Sequence, residues 1–415
     1  MNRRDFLKKS AITTGATAGA LALSSTLKPL EVEAKGFGVK EHKGKTFYDV
    51  VETNEDFGPF SQHDTAFGRA YDPNHPYPLP PTFFQVWDAP KEHDKLGENV
   101  FDNAMFQGAG LNWGDTNNHY KLFEGKPNSV DGELYKFKNP KEASYYIKRA
   151  AKFYKASAVG ITKYDENLMY KENIAQFKEQ GFKPKSVIVM CILMDHEILK
   201  LYPMPIGMSG AALAYSNMAE VSGKLAKMMS VLGYSSHAGG NDWGISVAYG
   251  VAAGLGEGSR MGTLIHPELG SGFRIVKVFT ELELEPDAPI TFGVESFCTR
   301  CMKCADNCPS GAVYKTPKQF APDTEEFVSA IKGVKKWGTD AAKCFEYWGE
   351  SHCDCGRCIT VCPYFKNDTW LHKFAKTAAN TPGVNNVARY MDDMFGYGKY
   401  PTQKTYDDFW DNMKL

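Results

Sequence analysis

Nine of the ten cysteines lie close together in the C-terminal third of this 415-residue chain. The first four follow the spacing Cys-x2-Cys-x2-Cys-x3-Cys-Pro, which starts at Cys298. A second group consists of Cys344 and a Cys-x2-Cys-x3-Cys-Pro run from Cys355, with Cys353 as an additional cysteine. The first spacing is the bacterial ferredoxin pattern for a cubane iron–sulfur cluster. The paired pattern therefore predicts two [4Fe–4S] clusters and electron transfer.

In two-cluster ferredoxins, the cysteine that precedes the proline ligates the other cluster. The ligands predicted for cluster A are Cys298, Cys301, Cys304 and Cys362. The ligands predicted for cluster B are Cys308, Cys344, Cys355 and Cys358. Cys353 competes with Cys344, because His352 stands where the second run would have its own first cysteine. We prefer Cys344, since a single residue separates Cys353 from Cys355 and the ferredoxin run leaves two.

Zinc and disulfides are the alternatives for these cysteines. Zinc accepts Cys-x2-Cys pairs, but four cysteines in one such run exceed the usual spacing of a tetrahedral site. The tenth cysteine, Cys191, lies in the apolar run 186–193, and we expect it to be a small buried strand residue.

The N-terminus predicts export. A twin-arginine motif, Arg3-Arg4-Asp-Phe-Leu-Lys, precedes a weakly apolar stretch, and Val32-Glu-Ala34 suits signal-peptidase cleavage. We therefore expect a signal peptide over 1–34, which would place the protein in the periplasm or on the outer face of the cytoplasmic membrane. Its removal takes away five basic and three acidic groups, so the net charge changes from −1 to −3. A near-neutral balance argues against nucleic-acid binding.

The elements that must position the cysteines follow from composition and periodicity. Apolar spacing predicts helices over 141–157, 211–232 and from 245 to 254, and strands over 157–161, 186–193 and 274–284. This alternation indicates an α/β core. The predicted regions after the signal are a loop-rich region 35–140, the core 141–290, a ferredoxin-like domain 291–370 and a tail 371–415 that packs on the core. After the predicted signal peptide, the sequence contains no run of eighteen consecutive apolar residues, so it does not predict a membrane-spanning helix.

The chain resembles the corrinoid-dependent reductive dehalogenases over nearly its whole length. The motifs that carry this resemblance are the twin-arginine leader, Leu232-Gly-Tyr234, Ala252-Ala-Gly-Leu-Gly-Glu257, His266-Pro-Glu-Leu-Gly270, Arg274-x3-Val278-Phe-Thr280, Phe292-Gly-Val294 and the two cysteine groups. The resemblance implies an α/β (α+β) fold with a nitroreductase-like corrinoid-binding core and a ferredoxin-like domain for two [4Fe–4S] clusters. It also implies a base-off cobamide, and the Asp-x-His-x-x-Gly motif of other corrinoid proteins does not occur here.

The family's catalytic trio maps by position onto Tyr215, Asn241 and Arg274. The resemblance implies that Tyr215 gives a proton to the substrate carbon. Arg274 would stabilise the phenolate and so lower the pKa of the phenol, and Asn241 would position the substrate or the halide. Gly254 and Gly256 are assigned to corrinoid binding, with a helix end and a turn as the alternative.

An organohalide forms few hydrogen bonds, so we expect an apolar, aromatic pocket. The candidate pocket residues are Trp113, Trp243 and Trp348, each of which could equally be a core residue. The implied function is reductive dehalogenation as the terminal step of organohalide respiration. The implied partners are a small integral-membrane anchor protein and the quinone pool as electron source, and a homodimer is left open.

Two other functions remain open at this point. One is an exported iron–sulfur electron-transfer subunit without its own catalysis. The other is an enzyme like epoxyqueuosine reductase, against which the export signal and the charge balance argue. The substrate class, whether haloalkene, haloalkane or haloaromatic, is not encoded in any motif.

Overall fold

The computed structural model describes residues 38–85, 96–110, 124–125, 129, 132–365 and 398–411. The predicted signal peptide, Trp113 and most of the predicted tail 371–415 lie outside these residues.

Strands and helices alternate through the middle of the chain. The strands are β1 Lys40–Glu41, β2 Glu124–Gly125, β3 Ala158–Lys163, β4 Ser186–Leu193, β5 Ser236–Gly239, β6 Glu257–Gly258, β7 Leu264–Ile265, β8 Phe273–Thr280 and β9 Ile290–Thr291. The helices are α1 Phe47–Val50, α2 Ala66–Tyr71, α3 Thr82–Gln85, α4 Val100–Ala109, α5 Pro140–Phe153, α6 Lys171–Glu179, α7 His196–Leu199, α8 Met208–Val231, α9 Ser246–Ala252, α10 Val294–Cys301, α11 Lys303–Asp306, α12 Ala341–Ser351, α13 Arg357–Thr360 and α14 Gln403–Asp411.

A five-stranded antiparallel sheet forms the centre, in the order β2-β5-β8-β4-β3. β4 and β8 pair along their full length, from Ser186 opposite Thr280 to Leu193 opposite Phe273. β4 is buried in all but its last residue, which explains its unbroken apolar sequence. Cys191 is fully buried in this strand, as predicted.

Helices cover both faces of the sheet. On one face, α5 and α8 pack against Ile188, Met190 and Val276. On the other face, α1, α6 and α9 pack against Val187, Val189 and neighbouring residues that point the opposite way along the strands. Because side chains alternate along a strand, β8 directs Arg274 towards the α8 face and Lys277 towards the α9 face.

The long helix α8 is the main support of the site. Its buried positions are mostly small, so its backbone approaches the sheet closely. The helix ends in a Schellman motif, in which Tyr234 N–H donates to Met229 O at 3.0 Å and Gly233 N–H to Ser230 O at 2.9 Å. Gly233 has a φ of +89°, which favours glycine. This geometry accounts for the Leu232-Gly-Tyr234 motif.

The predicted strand 274–284 ends earlier than expected, at Thr280. Beyond that residue, side chains replace the strand ladder as hydrogen-bond acceptors: Leu282 N–H donates to Thr280 Oγ1 and Leu284 N–H to Ser186 Oγ. The apolar alternation in the sequence continues beyond Thr280, the last residue of β8, and for this reason it predicted a strand longer than the one that forms.

The described residues from Gly38 onward belong to one compact unit, and the domain boundaries expected within it stay predictions. Helix α14 packs against Ile198, Leu201 and Ile206, and Tyr406 Oη donates to Asp102 Oδ1 at 2.9 Å. None of the helices in the described ranges is long and apolar enough to cross a membrane.

Candidate active site

The structure gathers the clustered cysteines into two groups. The thiols that act electrostatically on Cys304 are Cys362 and Cys301, and Cys298 acts on Cys362. These four thiols are the predicted ligands of cluster A. Cys344, Cys355 and Cys308 act on Cys358 and form the second group with it, and Cys304 of the first group also acts on Cys358, so the two groups adjoin. All ten cysteines are free of disulfides.

Burial makes these thiols poor acids without a metal. It raises the pKa of Cys298, Cys304 and Cys344 to about 12 and that of Cys355 to about 11. Neighbouring thiolates raise these pKa values further, because their charges repel. Bound iron supplies the positive charge that such a group needs in order to ionise.

The side chain of Cys353 points into the core: it is fully buried, packs in the α8-side core and donates to Met204 O at 3.5 Å. Cys355 acts electrostatically on both Cys353 and Cys344, and Cys308 is a further neighbour of Cys344. The structure thus places Cys344 with the other three predicted ligands of cluster B, and the assignment of the ligands stays a prediction.

Two charged side chains of the core hold the cysteine segment. Arg260, only 1% exposed, donates from Nε to Cys298 O at 3.0 Å and from Nη1 to Tyr314 O at 2.9 Å. Glu257 Oε1 accepts from Phe292 N–H and from Val294 N–H at the start of α10. The sequence analysis did not single out Arg260. Its only signal was an arginine in the turn between β6 and β7, 38 residues before Cys298.

Tyr215 and Arg274 meet at the end of the sheet. Arg274 Nη1 donates to Tyr215 Oη at 3.2 Å, and its guanidinium carbon lies 4.6 Å from the centre of the tyrosine ring. Tyr215 comes from α8 and Arg274 from β8, so helix–sheet packing brings together two residues that are 59 positions apart. Arg274 Nε is buried and has no hydrogen-bond partner among the described residues.

The pKa of Tyr215 is shifted in the direction opposite to the one expected. Burial raises it above its usual value of 10.0, and the charge of Arg274 lowers it by less than burial raises it. Asp242 and Asp354 raise it further through their negative charges. The phenol is therefore held protonated at neutral pH, and the expectation of a net lowered pKa was wrong.

Asp354 is a second residue that the sequence analysis missed. Its Oδ2 lies 3.9 Å from Arg274 Nη2, and its side chain is only 9% exposed. The hydroxyl of Tyr202 also hydrogen-bonds to this carboxylate. The signal in the sequence was an acidic residue placed between Cys353 and Cys355.

Asn241 lies exposed in the loop after β5. Its neighbour Asp242 acts electrostatically on Tyr215 and on Lys277, so this loop borders the pair. Lys277 is fully buried and donates from Nζ to Ser246 Oγ at 2.5 Å. The structure therefore brings Tyr215 and Arg274 into direct contact and places Asn241 in the adjoining loop.

Gly254 and Gly256 are explained by backbone packing. A Cβ on Gly254, whose φ is +69°, would meet Ala288 O at 2.3 Å, and one on Gly256 would meet Ile265 O at 1.9 Å. The helix end and turn, which was the alternative interpretation, accounts for both glycines. The corrinoid assignment of these two residues therefore has no support from their surroundings.

Two of the three candidate tryptophans, Trp243 and Trp348, lie among the described residues and have different settings. Trp243 stacks on Phe177 with ring centres 5.0 Å apart and belongs to the α9-side core. Trp348, on α12, packs against the same core cluster as Tyr215 and lies 5.2 Å from the ring of Phe83. Only Trp348 is thus on the face of the sheet that carries Tyr215.

Comparison with known proteins agrees with these features. The family "4Fe-4S double cluster binding domain" matches residues 297–365, which contain both cysteine groups. The tetrachloroethene reductive dehalogenase of Desulfitobacterium hafniense is 36% identical in an alignment of 333 positions, which covers 68% of this chain and 60% of that protein. The chain thus matches less than two thirds of the length of that relative.

Two further matches cover more of the chain. The tetrachloroethene reductive dehalogenase of Sulfurospirillum multivorans is 28% identical over 474 residues, covering 99% of this chain and 93% of that protein. A solved structure of a reductive dehalogenase is 23% identical, covers 84% of this chain and 48% of its own, and superposes with a TM-score of 0.67. That likeness confirms the predicted fold class. The chain is a homologue of the reductive dehalogenases and carries a double [4Fe–4S] domain.

Proposed function

We propose that the protein reduces an organohalide and replaces a carbon–halogen bond by a carbon–hydrogen bond. The balance is two electrons and one proton in, and one halide ion out. The observation that carries the proposal is the Tyr215–Arg274 pair, joined at 3.2 Å, beside a loop that holds cluster ligands. A proton donor next to an electron path is what this reaction needs, and the named relatives are reductive dehalogenases.

The residues of the pair have separate tasks. Tyr215 holds the proton and releases it from Oη to the substrate carbon. Arg274 then stabilises the phenolate by a hydrogen bond from Nη1 and by its permanent charge. Its buried Nε remains as a donor for a halide or a substrate group. Asn241, in the exposed loop beside the pair, would position the substrate.

The reductive dehalogenase of the matched solved structure is B12-dependent, and we propose a corrinoid for this chain too. The fit rests on the buried Nε of Arg274, which has no partner among the described residues and lies on the residue that contacts the hydroxyl of Tyr215. Tyr215 and Arg274 would contact the bound group, and Trp348, which packs in the core on the same face, stays a candidate neighbour. When bound, a corrinoid would supply a low-potential cobalt centre that receives electrons from the clusters.

We further propose that the protein is exported by the twin-arginine route and works outside the cytoplasmic membrane. The support is the Arg3-Arg4 leader in the sequence. A small membrane anchor protein and quinone-derived electrons belong to the same proposal, as does the role of terminal reductase in organohalide respiration.

Metal analysis of the anaerobically purified protein tests the proposal most directly. Two cubane clusters and one corrinoid predict about eight irons and about one cobalt per chain. Halide release should follow with titanium(III) citrate as electron donor, assayed on chloroethenes, chloroalkanes and halogenated phenols. An active preparation without cobalt would exclude the corrinoid route.

The same experiment distinguishes a reductive dehalogenase from the alternative, an exported electron-transfer subunit. That protein would contain iron without cobalt, would be reduced by titanium(III) and would release no halide from any of these substrates. Nothing in such a carrier would require a buried phenol beside a guanidinium.

A further inference from the structure

The carboxylate of Asp354 contacts the Tyr215–Arg274 pair from the cysteine segment. It precedes Cys355, a predicted ligand of cluster B, and lies 3.9 Å from Arg274 Nη2. The hydroxyl of Tyr202, a side chain only 2% exposed, bonds to the same carboxylate. Two groups of the core therefore hold one side chain of the cluster loop.

The backbone around Asp354 leaves this carboxylate little freedom. Cys355 and Gly356 follow with φ values of +59° and +60°, two left-handed residues in succession. Gly356 lies directly against Tyr202, because a Cβ there would approach the tyrosine ring to 2.3 Å. Gly356 N–H also donates to Asp354 O at 2.8 Å. The loop is thus packed onto the residue that bonds the carboxylate.

The contacts of the guanidinium show what this arrangement does. Arg274 directs Nη1 to Tyr215 at 3.2 Å and Nη2 to Asp354, while Nε stays without a partner among the described residues. A carboxylate on the far side of a guanidinium restrains its rotation, so the other nitrogens keep their directions.

We propose that Asp354 is a positioning residue, which fixes the guanidinium of Arg274 against Tyr215 and ties the proton donor to the loop that carries Cys355. This inference rests on the proposed function, because it takes Tyr215 as the proton donor. The negative charge of Asp354 also offsets part of the charge of Arg274. The phenolate is therefore stabilised enough to form and remains basic enough to be protonated again.

The first variant is Asp354→Asn, which keeps the shape and removes the charge. With iron and cobalt contents like those of the wild type, kcat should fall by about 10- to 100-fold at a nearly constant KM, because the guanidinium loses its restraint. The pKa of Tyr215 should also fall, because Asp354 no longer opposes Arg274. The alkaline limb of the pH–rate profile should then move down by about one unit.

The second variant, Tyr202→Phe, keeps the charge of Asp354 but removes the bond that holds it. The released carboxylate should close on Arg274 and weaken its bond to Tyr215. This variant should also lower kcat, but its alkaline limb should move to higher pH. The matched control is Asp323→Asn, the same exchange at an exposed position of the same segment, which should leave kcat and the limb unchanged.

The proposal is supported if the alkaline limb of the pH–rate profile moves to lower pH in Asp354→Asn and to higher pH in Tyr202→Phe. A merely structural role would not move the two limbs in opposite directions. Wild-type kcat and pH profile in Asp354→Asn would overturn it, and so would a lower kcat with no movement of the limb. If Asp354→Asn loses iron, the proposal is judged on Tyr202→Phe alone: a lower kcat with an alkaline limb at higher pH supports it, and an unchanged kcat or an unmoved limb overturns it. Crystal structures should show a guanidinium that stays beside Tyr215 but in more than one orientation in Asp354→Asn, and one drawn towards Asp354 in Tyr202→Phe. This readout remains valid even if the wild type releases no halide and the proposed function fails.

Discussion

The substitution Tyr215→Phe removes one oxygen atom and leaves the ring in place. The hydroxyl accepts the hydrogen bond of Arg274 at 3.2 Å, while the ring lies below the guanidinium with the carbon 4.6 Å from its centre. The stacking contact therefore survives in the variant, and only the proton and its acceptor are lost. We expect the cluster and corrinoid contents to remain those of the wild type.

The magnitude follows from the role of the phenol. Loss of a positioned general acid lowers rates by about 10²- to 10⁴-fold. Stability should change by only about 1 kcal/mol, because one hydrogen bond is lost and Arg274 keeps Asp354 as a partner. The raised pKa of Tyr215 places the wild-type alkaline limb above pH 10. The residual rate of the variant should lack this limb.

The assay is halide release under titanium(III) citrate, with cobalt reduction followed by its visible spectrum. Tyr249→Phe is the matched control, because Tyr249 is a buried core tyrosine whose hydroxyl donates to Asp165 O at 3.1 Å on the other face of the sheet. The control should keep its rate. Full activity in Tyr215→Phe would show that the proton comes from another group, and the assigned trio would have to be abandoned.

Three further outcomes follow from the site. Arg274→Lys should lower the rate nearly as much as Tyr215→Phe, measured by the same assay, because an ammonium cannot bond the phenol and its opposite partner in one plane. Cys344→Ser should lose a cluster by iron analysis and Cys353→Ser should keep both; the reverse result would exchange their roles. Burial lowers the pKa of Lys277 from 10.5 to about 7, so the unfolded chain binds the extra proton between these pH values and native stability rises with pH across that window. Lys277→Met removes this cost, of at most about 5 kcal/mol at 1.36 kcal/mol per pKa unit. Its gain in Tm over the wild type should be largest below pH 7 and shrink towards pH 10, whereas a gain independent of pH would contradict a buried, neutralised lysine.

The sequence predicted those parts of the site that depend on local spacing. The ferredoxin pattern is local, so it indicated both clusters and the two groups into which the structure gathers the thiols. Helix α8 and strands β4 and β8 were also found by periodicity, within a few residues at their ends. The contact of Tyr215 with Arg274 could not be read in this way, since it depends on how a helix crosses a sheet; it came from family resemblance.

The residues that were missed act through three-dimensional surroundings. Asp354 matters because two left-handed residues after it press the loop onto Tyr202, and backbone handedness at Cys355 has no sequence signature. Arg260 matters because a turn of the core places its guanidinium under the carbonyl of Cys298. Gly256 is required by the carbonyl of Ile265, a close approach that the sequence does not reveal, and its assignment to corrinoid binding stays a prediction.

The wrong sign for the pKa of Tyr215 changes the account of the proton transfer. An acid with a lowered pKa would lose part of its proton before the carbon needed it. The acceptor is the carbanion that remains when two electrons are added and the halide departs, and it is a far stronger base than a phenolate, so the acid strength of Tyr215 does not limit the step. What matters is that the proton is present, and burial ensures this by raising the pKa. Arg274 is then most useful after the transfer, when its charge and its hydrogen bond from Nη1 stabilise the phenolate.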